Sequence, residues 1–117
     1  MEIINITHDF GPHYQARIRV TFETTIIGEE RWYIIQHSDN GVGWNENTMP
    51  LKNLLRLQNT RALVANMGGT VEYHAKAGEG SVTTLKIPGN AVPEDVIRYI
   101  AQRLAEKAAN RLKAYKQ

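Results

Sequence analysis

The sequence predicts an α+β fold: a two-layer α/β sandwich with a mostly antiparallel mixed sheet of about four to five strands and helices on one face. Three observations carry this. Residues 17–26 alternate apolar and polar positions, the period of a half-buried strand. Residues 51–67 and 93–113 repeat their apolar positions at helical spacing. Two glycine turns, Gly28-Glu29-Glu30 and Gly78-Glu79-Gly80, separate β-rich runs as antiparallel hairpins require. The 117 residues are enough for one domain and too few for two comfortable ones.

Each element has its own signal. Ile18, Val20 and Phe22 alternate with Arg19, Thr21 and Glu23. After the first turn, residues 32–36 form a second strand rich in aromatic and β-branched residues, antiparallel to the first. Residues 45–50 are a polar loop. In the helix over 51–67, Leu54, Leu57, Arg61 and Val64 share one face, which Ala65 and the Arg61 stem complete. Gly68-Gly69 ends it. Residues 70–74 and 81–87 are the third and fourth strands, the latter closed by Pro88. In the last helix Pro93 suits the first turn, and Glu94 and Asp95 complement the positive end of the dipole. Val96, Ile97, Ile100, Ala101, Leu104, Ala108 and Leu112 form its apolar stripe. Trp32 is expected in the core.

Composition excludes several classes. Hydrophobic content of 42% and charged content of 22% fit a globular protein rather than a disordered one. No apolar run approaches the ~20 residues of a membrane span, and no basic stretch leads into an apolar core as in a signal peptide. A cytoplasmic protein without a membrane partner is the expectation. There is no cysteine, hence no disulfide, thiolate metal site or cysteine nucleophile. Six bases against three acids give residues 94–117 a charge of +3, out of +2 for the whole chain. Aromatics do not interleave with these bases, so a solvated face is expected there rather than a nucleic-acid surface.

The stretch that points to chemistry is Asp39-Asn40-Gly41-Val42-Gly43, at the end of the second strand. A carboxylate there can accept hydrogen bonds from an amino group, and glycines let a backbone come close to a ligand. The same pattern also serves a plain tight turn. Downstream come a loop, a helix ending in Met67-Gly68-Gly69, and the Gly78-Glu79-Gly80-Ser81 hairpin. In this order the chain resembles the C-terminal part of the ATP-binding domain of sensor histidine kinases, in the GHKL superfamily (Bergerat fold), and among them the nitrate/nitrite-sensor group. Residues 56–69 are similar to the helix after the ATP lid, and residues 70–88 to the closing hairpin. The likeness spans residues 1–90, a partial histidine-kinase-like ATPase domain. Residues 91–117 are an additional basic amphipathic helix, packing on the same domain or on a partner.

The resemblance implies that Asp39 receives the adenine amino group and that Gly41 and Gly43 line the base pocket. It implies that Asn5 holds Mg²⁺ and the phosphates from a helix, and that Arg56 offers charge to a phosphate. ATP or ADP with Mg²⁺ would be the ligand. The chain also departs from the family. Met1 stands where a glutamate one turn before the asparagine is usual. Leu54-Leu55-Arg56-Leu57 replaces the lid's Gly-x-Gly-Leu, removing the backbone that wraps a triphosphate. The phosphorylated-histidine helix has no counterpart. Glu106, Asn110 and Lys113 reproduce the spacing of the displaced motif, so a circular permutation and chance are both open.

Other chemistries find less support. His8, His13, His37 and His74 make no zinc-helix spacing, and Ser38 and Ser81 have no evident base partner. Trp44 is expected to pack under the lid. Two readings remain. One is a degenerate, non-catalytic histidine-kinase-like domain that acts through protein contacts as a homodimer. The other is an adenine-nucleotide binding protein using Asp39, Gly41, Gly43 and Asn5 (or Asn110). Nucleic-acid binding through the last helix is a weaker third.

Overall fold

The computed structural model describes residues 2–9 and 15–114. Five strands and two helices follow in the order β1 (Glu2–Asp9), β2 (Gln15–Ile27), β3 (Glu30–Asp39), α1 (Leu51–Asn66), β4 (Thr70–Lys76), β5 (Gly80–Pro88) and α2 (Glu94–Ala114). The sheet order is β1-β2-β3-β5-β4, and every pairing is antiparallel. The sheet is therefore not mixed. The β4–β5 hairpin inserts its second strand beside β3, so β3 and β4, which run the same way, never touch.

Register explains the core. Residues directly opposite in antiparallel strands share a face. Phe22 lies opposite Ile35, Ile35 opposite Leu85, and Tyr33 opposite Ile87. These side chains are buried together with Val20, with Val64 of α1, and with Ile97, Ala101 and Ala105 of α2. Both helices thus cover the same face, α1 over β4 and β5, and α2 over β1, β2 and β3. Alanines at 101, 105 and 108 let α2 lie close to the sheet. Val96, expected in the stripe, is exposed, while Ala105 belongs to it. The ring of Phe22 is capped by the Arg98 guanidinium, 4.7 Å from its centroid.

The opposite face of the sheet carries Trp32, Ile34, Gln36 and Ser38 of β3, and among the described residues no helix packs on it. Trp32 belongs there, half-buried and paired with Pro88, and not in the helix-covered core. One side of an antiparallel sheet can face water, which the Thr-, Arg- and Lys-bearing positions of this face suit.

α1 stops where the sequence says. Gly68 adopts φ +79°, its N–H donates to the Ala65 carbonyl, and Gly69 N–H donates to Val64 at 2.9 Å, a Schellman motif. The largest departure is at the N-terminus. The resemblance places Asn5 on a helix, yet residues 2–9 are an edge strand. Ile3, Ile4, Ile6 and Thr7 are β-branched, which a strand favours, and Ile4, Ile6 and Thr7 pair with β2. Among the described residues no helix is long and apolar enough to cross a membrane.

Candidate functional site

Asp39 is the last residue of β3, and the register sets it opposite Ser81 on the helix-covered face. Both carboxylate oxygens are engaged. Oδ1 accepts the Gly41 N–H at 2.8 Å, and Oδ2 accepts the Ser81 hydroxyl at 2.7 Å. The first bond closes a tight turn, and the second joins β3 to the hairpin.

The two glycine motifs fit each other. A Cβ on Gly43 would fall inside the Lys76 carbonyl oxygen and 2.9 Å from that of Gly80. A Cβ on Gly80 would fall inside the Asp39 carbonyl oxygen and 2.8 Å from the Asn40 Cα. Gly78 N–H donates to Val42 at 2.9 Å. The glycines of residues 39–43 thus let the loop's backbone meet the hairpin's, the close approach only glycine permits.

The segment after Asp39 is fastened at alternate residues. The Asn40 side chain continues the β2–β3 pairing, accepting from Arg17 N–H at 2.7 Å and donating to the Gln15 carbonyl at 2.6 Å. Val42 is held by the hairpin. The Trp44 carbonyl accepts from the Tyr73 hydroxyl of β4 at 2.7 Å, and Glu46 pairs with Arg61 of α1. That last pair is partly exposed and contributes about 0–1 kcal/mol. Trp44 itself is 39% exposed. Burial, with Asp39 and Glu46 nearby, raises the Tyr73 pKa, although the neighbouring Ser81 hydroxyl works the other way.

Of the five residues that the resemblance groups together, Asp39 and Gly41 meet, but Asn5 is on the other face of the sheet. Asn5 pairs with Arg19, and Arg19 with Ser38, so Asn5 lies on the face opposite to Asp39. The sheet separates them, and one Mg²⁺–nucleotide cannot touch both. Asn5 has no fit to a cation shared with Asp39. Arg56 is on α1, half-buried, and acts electrostatically on His37. Beside Asp39 the surface forms a shallow, open depression of about 330 Å³ lined by Ser81, Gly80, Lys76 and Glu79; neither Arg56 nor Gly43 lines it. Ligand pockets run to about 300–1,000 Å³ but enclose most of the ligand, which this one does not.

Glu106 and Asn110 are exposed, on the side of α2 turned about 160° or more from Ala108, which is buried. Glu106 is bound by Arg103 at 2.9 Å. They stand on the outer side of α2, turned from the sheet, and the Lys113 side chain lies outside the described residues, as do Met1 and His13. Among the described residues no three His, Asp or Glu side chains gather as a metal site.

Two participants carry little signal in the sequence. Ser81 has no catalytic base, but it is Asp39's partner; a serine directly after the hairpin glycine is the only hint, and its pairing needs the register. His37 lies opposite Val20 and Thr83, and its Nε2 has neither exposed surface nor a hydrogen-bond partner among the described residues.

Burial lowers the His37 pKa below 6.5; Asp39 opposes this, and Arg111 and Arg56 add to it. The unfolded chain therefore binds the proton more readily. Stability is complete above about pH 6.5 and falls as pH drops below it, by at most about 1.4 kcal/mol per pH unit. Urea unfolding at pH 7.5 and 5.5 is expected to show this loss, and His37→Leu to reduce it. An identical loss in the variant would contradict the assignment.

No family model, curated protein or solved structure matches this chain.

Proposed function

We propose that this chain is a degenerate histidine-kinase-like ATPase domain that no longer performs phosphoryl transfer and acts through protein contacts, as a small cytoplasmic regulatory protein. The observation that carries the reading is the fastening of residues 40–46 to β2, the hairpin, β4 and α1. A phosphoryl-transfer site works by positioning and by charge stabilisation around the phosphates. Here the segment that would close over them is spent on the fold. The order of strand, Asp-x-Gly-x-Gly turn, helix and hairpin supports the ancestry. The placement of Asn5 on the face opposite to Asp39, and the exposure of Glu106 and Asn110 on the outer side of α2, support the loss of activity.

The second reading, an adenine-nucleotide binding protein, keeps one favourable observation. A carboxylate has about four acceptor positions. Gly41 and Ser81 occupy two of those on Asp39, so an amino group could still be received from the open side. Calorimetric titration with ATP and ADP, with and without Mg²⁺, separates the two. The first reading expects no binding tighter than about 1 mM, a free energy near −4 kcal/mol. Micromolar binding that Asp39→Asn abolishes would replace it with the second.

A further inference from the structure

Asn40 is the one asparagine of the chain that a glycine follows. The amide of an asparagine can be attacked by the backbone nitrogen of the next residue. Here the bond from Gly41 N to Asn40 Cγ would form, the Cγ–Nδ2 bond would break, and ammonia would leave with the Gly41 proton. Water then opens the succinimide ring at either carbonyl, giving aspartate or isoaspartate. A side chain on the following residue crowds the attacking nitrogen, and glycine has none. The attack needs two freedoms. The Asn40 side chain must swing its Cγ towards Gly41 N, and Gly41 N must give up its proton.

The closed fold withholds both. Asn40 Oδ1 accepts the Arg17 N–H at 2.7 Å, and Nδ2 donates to the Gln15 carbonyl at 2.6 Å. Both ends of the amide are therefore anchored on β2. The Gly41 N–H is committed to Asp39 Oδ1 at 2.8 Å. From there the main chain turns to the hairpin, where the Val42 carbonyl accepts from Gly78 N–H, while the Asn40 side chain stays with β2. These bonds lie just past Ile18 and Asp39, the last residues paired between β2 and β3. The end of a strand pair is where local opening costs least.

We propose that Asn40 is a hydrolytic modification site, locked by β2 in the closed fold and unlocked when this end of the β2–β3 pair opens. Its products undo the loop. Aspartate puts an acceptor where Nδ2 donated, so two oxygens face each other at the Gln15 carbonyl. Isoaspartate adds one carbon to the main chain between residues 40 and 41. Gly43, two residues on, is seated against the Lys76 and Gly80 carbonyls with no space for a Cβ, so the lengthened chain cannot keep that seat. Either product loosens residues 40–46 from the sheet, and the hydrolysis makes the change irreversible.

The test follows deamidation by peptide mapping and mass spectrometry, with the full chain incubated at pH 7.5 either folded or unfolded in urea. In urea, Asn40 is expected to react before any other asparagine. In the folded chain its rate is expected to be lower by about ten-fold or more. In an antiparallel pair the N–H and C=O of one residue point to the same neighbour. Arg17→Pro thus removes the N–H that anchors Oδ1 without removing a bond to β1. It is expected to raise the folded-state rate about five-fold or more and to leave the rate in urea unchanged. The wild-type comparison decides alone where Arg17→Pro does not fold by circular dichroism. The modified chain, separated by its added negative charge, is expected to melt below the unmodified one. A folded-state rate equal to that in urea overturns the lock, and a faster one overturns it and makes Asp39 a base for Gly41 N. A folded-state rate unchanged in Arg17→Pro overturns the anchoring on β2. Equal melting of modified and unmodified chains overturns the loosening of the loop.

Discussion

Gly80→Ala is expected to cost about 3 kcal/mol or more and to lower the melting temperature by over ~10 °C. Two effects add. Gly80 has φ +123°, a region closed to residues with a Cβ. The new methyl would also fall on the Asp39 carbonyl oxygen and beside the Asn40 Cα. Both are main-chain atoms, so no rotamer change relieves the overlap, and the loop must lift from the hairpin. Lifting it strains the Gly78–Val42 and Ser81–Asp39 hydrogen bonds. Gly78→Ala in the same turn is the internal control: φ is +80°, but nothing lies within 4 Å of the added carbon, so only conformational strain of about 1 kcal/mol applies. Thermal unfolding of the two variants beside the wild type gives the comparison. Equal losses would mean that the loop and hairpin are not in close contact.

The glycine motifs show what a sequence can and cannot convey. Each is visible as a turn signal, and Gly43 and Gly80 are visible as positions without a side chain. Their reason is not visible, because it lies in a second segment about forty residues away. A glycine that admits a ligand and one that admits another backbone read alike. The strands and helices were more legible because their signals are local. The alternation of Ile18, Val20 and Phe22 is sufficient for β2, and the Schellman glycines mark the end of α1. Residues 2–9 were harder. Their β-branched residues argue for a strand, while the likeness around Asn5 argues for a helix, and pairing with β2 decides. Asn5 then takes its face from register, in which a shift of one residue exchanges the two sides of the sheet. Likewise Glu106 and Asn110 share a helical spacing with a known motif, but spacing does not say which way the helix is turned. Ile97, Ala101 and Ala108 decide that by their burial.

Asp39 serves the fold. Its two oxygens hold the Gly41 N–H and the Ser81 hydroxyl, and Asp39→Ala leaves both donors without their acceptor in a partly buried place. Hydrogen bonds to a charged group contribute about 1.5–3 kcal/mol each, less where water can substitute. The partial exposure here reduces the pair to about 2–4 kcal/mol together. Asp39→Asn keeps an acceptor for Gly41 and an amide that can donate to Ser81, so it is expected to lose only part of that. A residue kept for binding adenine would behave differently, since removing it would abolish affinity and leave the empty protein as stable as before. The direct measurement is equilibrium urea unfolding of Asp39→Ala against wild type, without nucleotide, at pH 7.5. A loss of about 2–4 kcal/mol at an unchanged slope is expected. A loss under about 0.5 kcal/mol, the level of an ordinary surface substitution, would contradict it.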